Sequence, residues 1–239
     1  MAVLELNGLS TALAGSFSAT VIFPDCQHIS EGTFYPALYH LHDIGGNDTD
    51  IRTIKNLQVL SNRLGIFVVA PSVMHSFGMD LPWGGKYGRF VCEELPGICR
   101  HLFPLDEKRQ YVGGTGGGAY GAVWHATNHP EAFSKCFVWN GHYDAAALCE
   151  AAASGVPLPR LTTTNLEAVF GDLKAVRGGK MDILAPNAPK PQAIYIGCTE
   201  DDPDTAPGEV LAKRLKVPFH MGKTEEAIFE AGLTWLCQG

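Results

Sequence analysis

The stretch "YVGGTGGGAYGA", residues 111–122, decides how this sequence folds. Glycines 113, 114, 116, 117, 118 and 121 follow a short aromatic and β-branched run and precede a stretch that reads as a helix. Glycine at that density lets one backbone pass close to another, because no Cβ holds them apart. A strand, a tight glycine turn and a helix in succession form half of a parallel βαβ unit. The turn contains no serine, cysteine or histidine, so what reacts there, if anything, must come from elsewhere.

Outward from this turn, strand-like and helix-like segments alternate. The runs 16–23, 37–42, 65–71, 109–114, 135–141 and 193–197 are rich in β-branched and aromatic residues. Several are apolar almost throughout, as strands covered on both faces must be. Helical candidates lie between them at 50–63, 86–103, 118–128, 207–216 and 224–237. The early strands come in hairpin-like succession and the later ones alternate with helices. The expected architecture is therefore α/β: a mostly parallel, doubly wound sheet with an antiparallel start. The interval 142–190 breaks the rhythm and is rich in Ala, Gly and Pro. An insertion there would sit above the strand ends as a lid, or be a loosely packed excursion.

A chain of 239 residues suits one large domain spanning 1–239. A net charge of −7, with no Lys/Arg cluster, argues against nucleic acid as a partner. No apolar run is long enough for a membrane span, and the N-terminus lacks a basic signal region, so the expectation is a cytoplasmic protein. The seven cysteines include no Cys-x-x-Cys pair. Zinc-ribbon and thioredoxin-like chemistry are therefore unsupported, and Cys198 reads as a buried thiol.

"PALYHLHDIGGND" (36–48), "FVVAPSVMHSFGMD" (67–80), "EELPGICRHLFPLDEKRQYVGG" (93–114), "HPEAFSKCFVWNG", "VFGDL" and "CTEDD" follow one another along the chain. In this order they resemble the esterase D group of α/β-hydrolases, which holds tributyrin-type carboxylesterases and S-formylglutathione hydrolases. The first is similar to the strand and His-Gly turn that supplies an oxyanion-hole amide, the second to the next strand and its polar loop, and the third to the helix and strand leading to the nucleophile. The resemblance implies an α/β-hydrolase fold of about eight strands with a small lid at 142–190. It also implies that Gly114-Thr115-Gly116-Gly117-Gly118 is the nucleophile elbow, G-x-S-x-G, with Gly116 at the serine position.

The departures fall where the chemistry belongs. Gly116 replaces the nucleophile, and Asp43 replaces the glycine of the His-Gly turn, beside the oxyanion donors expected near Asp43 and Gly117. The acid survives as Asp201, with Asp202 its neighbour. Two registers compete for the histidine: one puts Thr224 at that position, as N-cap of the last helix, and the other puts His220 there. His42 matches the histidine before the oxyanion turn. His75, Ser76, His142 and Tyr143 lie in two loops expected to converge with 43–46, 114–118 and 198–202 on one ligand cleft.

Three explanations of Gly116 compete: a replaced serine in a working elbow, a natural loss of ester chemistry, and a phosphate-cradling turn. The loss explains Asp43 and Thr224 as well. Gly114-x-Gly116-x-x-Ala119 fits a dinucleotide fingerprint formally, but no ribose-binding acid follows it. His40 and His42 share a strand face without a third metal ligand at motif spacing. The sequence therefore reads as a divergent esterase-type hydrolase without cofactor or metal, binding a small molecule or repurposed for other chemistry. The alternatives are a serine carboxylesterase altered at position 116 and an interaction scaffold, with homo-oligomer formation left open.

Overall fold

The structure, a computed structural model, describes residues 2–238. Its centre is an eight-stranded sheet in the order β1-β2-β4-β3-β5-β6-β7-β8. The strands are β1 (Val3–Ser10), β2 (Gly15–Ile22), β3 (Tyr35–Leu41), β4 (Phe67–Pro71), β5 (Leu105–Thr115), β6 (Lys135–Gly141), β7 (Ile194–Thr199) and β8 (Phe219–Gly222). β1 pairs antiparallel with β2, and β2 antiparallel with β4. All remaining pairs are parallel. The antiparallel start and parallel remainder follow the sequence reading. β1 escaped it because Glu5 and Asn7 interrupt the apolar pattern of an edge strand.

Helices α1 (Leu57–Leu64) and α8 (Glu225–Cys237) cover one face of the sheet, with Ile22, Leu38, Phe137, Trp139, Phe229 and Leu233 in their layer. The other face is covered by α2 (Tyr87–Arg89), α3 (Leu95–Leu102), α4 (Gly116–Asn128) and the later insertion. The segment 50–63, expected as one helix, is two pieces. A 3-10 helix over Asp48–Thr53 is capped by Asn47, and Asn56 at φ 62° breaks the path before α1. Asparagine tolerates that left-handed conformation because its short side chain can bond locally.

The insertion holds α5 (Ala145–Ala153) and α6 (Thr163–Phe170) and is packed rather than loose. Leu166, Val169, Phe170, Leu173, Val176 and Ile183 are buried. The Phe170 ring meets Phe77 and Tyr120 edge-on, and Tyr120 donates its hydroxyl proton to the Met181 carbonyl at 2.6 Å. These contacts seat the insertion, as a lid would be, on the first turns of α4.

Candidate functional site

β5 runs into α4 through the glycine turn, and the close approach inferred from the sequence is visible there. A Cβ on Gly114 would stand 2.6 Å from the Gly118 backbone and 2.8 Å from the Leu41 carbonyl oxygen. Gly116 itself has φ +54°, the left-handed region expected of a nucleophile elbow. Its carbonyl accepts the His142 N–H at 3.0 Å, which fastens the loop after β6 to the elbow.

The place a nucleophile would fill is occupied. A Cβ at position 116 would overlap the Asp43 carboxylate. Asp43 Oδ1 accepts the Gly117 N–H at 2.8 Å, so one carboxylate takes both the nucleophile's space and an amide at the head of α4. The positive end of a 13-residue helix favours that anion. The Gly117 amide, expected as an oxyanion donor, is thus already bonded to Asp43.

His42 is buried and fixes the loop that carries Asp43. Its Nε2 accepts the Val73 N–H at 2.9 Å, which leaves Nδ1 to donate to the Asp43 carbonyl at 2.7 Å. Burial holds this imidazole below its usual pKa, ahead of the opposing Asp43 hydrogen bond and nearby carboxylates, so it stays neutral in that role. Its expected place among ligand-binding residues is corrected: both ring nitrogens are committed to backbone.

His142 faces two carboxylates. Its Nδ1 is hydrogen-bonded to Asp204 Oδ2, and its Nε2 lies 3.5 Å from Asp43 Oδ1. Burial alone would lower its pKa, but the Asp204 hydrogen bond and the charges of Asp43, Asp204 and Asp202 outweigh burial and raise it. Asp43, His142 and Asp204 thus form a line of acid, base and acid across the elbow. The sequence reading named His142 and Asp43 separately and missed Asp204. Its signal was the Asp-Pro-Asp run, where Asp202 Oδ1 accepts the Asp204 N–H at 2.7 Å and turns the chain into α7 (Thr205–Leu215). Asn140 was missed too. At φ +44° it is the next-to-last residue of β6, accepting the Thr199 N–H at 2.9 Å and donating to Thr199 Oγ1 at 3.1 Å.

Asp201, Asp202 and Thr224 come together in a hollow of about 340 Å³ at the ends of β6, β7 and β8, with Asn140, Thr199, Lys223 and Glu225. Thr224 caps α8 by accepting the Ala227 N–H at 3.2 Å. His220 is elsewhere. It lies within β8 with its ring stacked on Tyr195 at 4.1 Å and 4°, and Tyr195 in turn packs against Trp235 of α8. Burial pushes the pKa of His220 down. In the hollow, Asp202 and Glu225 are both pushed up, first by burial and then by like charges on their neighbours.

The single cleft expected from the loops is two hollows with the Asp43–Gly117 contact outside both. The second, also about 340 Å³, holds His75 and Ser76 beside Met74, Tyr87 and, from the insertion, Asn165 and Ala168. Ser76 is not available to a ligand there, because its hydroxyl donates to the Val73 carbonyl at 2.6 Å and accepts the Gly78 N–H at 3.1 Å. Tyr143 is likewise a packing residue, 2 % exposed, filling the space that Gly141 and Gly208 leave. Cys198 is buried against Thr205, as its sequence reading anticipated.

An esterase family profile, described as "Putative esterase", matches residues 10–218. An acetyl esterase of Caldicellulosiruptor saccharolyticus is 28% identical over 224 residues, covering 84% of this chain and 81% of that protein. Among solved structures, the fluorophosphonate-binding serine hydrolase F of Staphylococcus aureus superposes with a TM-score of 0.81 at 21% identity, over 100% of this chain and 99% of that one. The S-formylglutathione hydrolase of Staphylococcus aureus gives 0.76 at 21%, over 99% of each chain. MPT51 of Mycobacterium tuberculosis gives 0.71 at 14%, over 99% of this chain and 98% of that one. At such identities the superpositions establish the α/β-hydrolase fold, and the profile establishes the lineage. With glycine at its nucleophile elbow, the chain belongs to the esterase family of α/β-hydrolases.

Proposed function

We propose that this chain is a non-hydrolytic esterase relative that binds a small polar molecule at the strand-end hollow. The observation that carries the reading is the Asp43 carboxylate, which fills the nucleophile's space and holds the Gly117 amide at 2.8 Å. Acyl transfer needs a nucleophile, a base within reach of it and free donors for the oxyanion. Gly116 supplies no hydroxyl, and the Gly117 amide is already bonded. The hollow around Asn140, Thr199, Asp202, Thr224 and Glu225 is open to a ligand. Its carboxylates suit a partner with ammonium or hydroxyl groups, which would relieve the repulsion between Asp202 and Glu225.

Isothermal titration with small amino alcohols and polyols tests this. Saturable binding that weakens at least about tenfold in Asp202→Asn supports the reading, a loss in the range of a charge-assisted hydrogen bond. Saturable ester turnover by the unaltered chain overturns it.

A second reading, a repurposed enzyme, is favoured by one observation: His142 between Asp43 and Asp204. A histidine held by one carboxylate and facing another is arranged for proton transfer without serine. On that reading His142→Ala abolishes turnover of the true substrate while leaving binding in the hollow intact.

A further inference from the structure

At the end of α4 remote from the elbow, three side chains unused by the site converge. Cys92 and His125 are buried and His129 is half-buried, and one donor atom from each lies within 4.8 Å of the other two. We propose that Cys92, His125 and His129 form a binding site for a thiolate-seeking transition-metal ion of the zinc type.

Hydrogen bonding fixes which nitrogen His125 can offer. Its Nε2 lies 2.8 Å from the Gly78 carbonyl oxygen. A carbonyl can only accept, so Nε2 carries the proton and Nδ1 carries the lone pair. Nδ1 is 3.3 Å from Cys92 Sγ. Tetrahedral zinc, with bonds of about 2.3 Å to sulfur and about 2.0 Å to nitrogen, holds those two atoms roughly 3.5 Å apart. The pair is therefore spaced for a shared ion with little movement. A backbone carbonyl on the far nitrogen is also the outer partner that metal-bound histidines commonly have.

His129 supplies the third donor and the entrance. It follows the last residue of α4, with its side chain 40 % exposed and Nδ1 3.3 Å from Glu131 Oε1. The backbone around Cys92 is unusual as well. Leu95 N–H bonds the Phe90 carbonyl, five residues back, in a π-helical turn over Phe90–Glu94 between α2 and α3. Such turns are rare and gather at functional sites. The soft donor set excludes calcium and magnesium, which take oxygen ligands. Binding is balanced by the Cys92 thiol proton, which passes to solvent as the sulfur–metal bond forms.

Cobalt(II) reports the site directly. Titration of the metal-free chain should give one equivalent of uptake with a near-ultraviolet sulfur-to-cobalt charge-transfer band, displaced by zinc(II). Cys92→Ser should remove the band, and His129→Ala should weaken binding by at least about tenfold, the scale on which metal sites respond to loss of a supporting group. Because Cys92 is buried, His129→Ala at the exposed helix end decides the matter if Cys92→Ser fails to fold. Absence of uptake, uptake without the band, or affinity unchanged in His129→Ala would overturn the proposal.

Discussion

Asp43 Oδ1 sits 2.8 Å from the Gly117 amide nitrogen and inside the volume that any side chain at position 116 would claim. The Asp43 carboxylate and a side chain at position 116 therefore compete for one space, which glycine leaves to the carboxylate.

Gly116→Ser should therefore destabilise the fold. A non-glycine residue at φ +54° costs about 1–3 kcal/mol, and the collision with Asp43 adds to it. Asp43→Gly in the same chain should return part of that loss. A double-mutant cycle by urea denaturation checks the coupling; additive effects at 43 and 116 would mean that the two side chains do not compete for one space.

Restoring esterase chemistry should need three changes together. Gly116→Ser alone leaves Asp43 on the oxyanion amide and no base beside the hydroxyl. The triple change Gly116→Ser, Asp43→Gly and Thr224→His should exceed either double containing serine by about 10²-fold or more in kcat/KM on an aryl acetate, the usual contribution of a general base or of an oxyanion donor. Turnover by Gly116→Ser alone, abolished by His220→Ala, would instead place the histidine on β8.

His142 should make stability fall as pH rises above neutrality. Its raised pKa means the folded chain holds a proton that the unfolded chain releases near pH 6.5. The stabilisation is complete below that value and is lost as pH climbs through the higher folded value. The depressed histidines, His40 at about 3 and His125 at about 4 among them, act in the opposite sense and only below pH 6.5. Urea midpoints between pH 6.5 and 8.5 should decline for the unaltered chain and stay flatter for His142→Asn; parallel curves would show that His142 is not held charged.

The loop carrying Asp43 should depend on His42. Removing the imidazole leaves the buried Val73 N–H without a partner, a loss of about 1–3 kcal/mol. His42→Ala should lower the urea midpoint accordingly, and an unchanged midpoint would deny the brace its role.

The glycine turn was legible in the sequence because its constraint is local. Backbone approach at Gly114 and a left-handed Gly116 demand small residues wherever the chain goes next. The apolar runs of β3, β4, β6 and β7 were legible for the same reason, since burial on both faces leaves no polar alternation. Thr224 as cap of α8 was legible too, because a threonine just ahead of Glu225 and Glu226 suits a helix start. What stayed hidden depends on distant segments meeting. Asp204 joins His142 across 62 residues, and Asp43 reaches Gly117 across 74. Ser76 and Tyr143 looked available because loop polarity suggests exposure, yet one satisfies neighbouring backbone and the other fills space left by two glycines. No local pattern distinguishes such residues from ligand contacts.

The most direct measurement is rapid-quench intact mass of the unaltered chain mixed with 4-nitrophenyl acetate, with nitrophenolate release recorded in parallel. With the nucleophile seat filled by Asp43, no acetyl adduct should form at the elbow and no burst should precede the background rate. An adduct approaching one acetyl per chain, with a matching burst and saturable turnover, would contradict it.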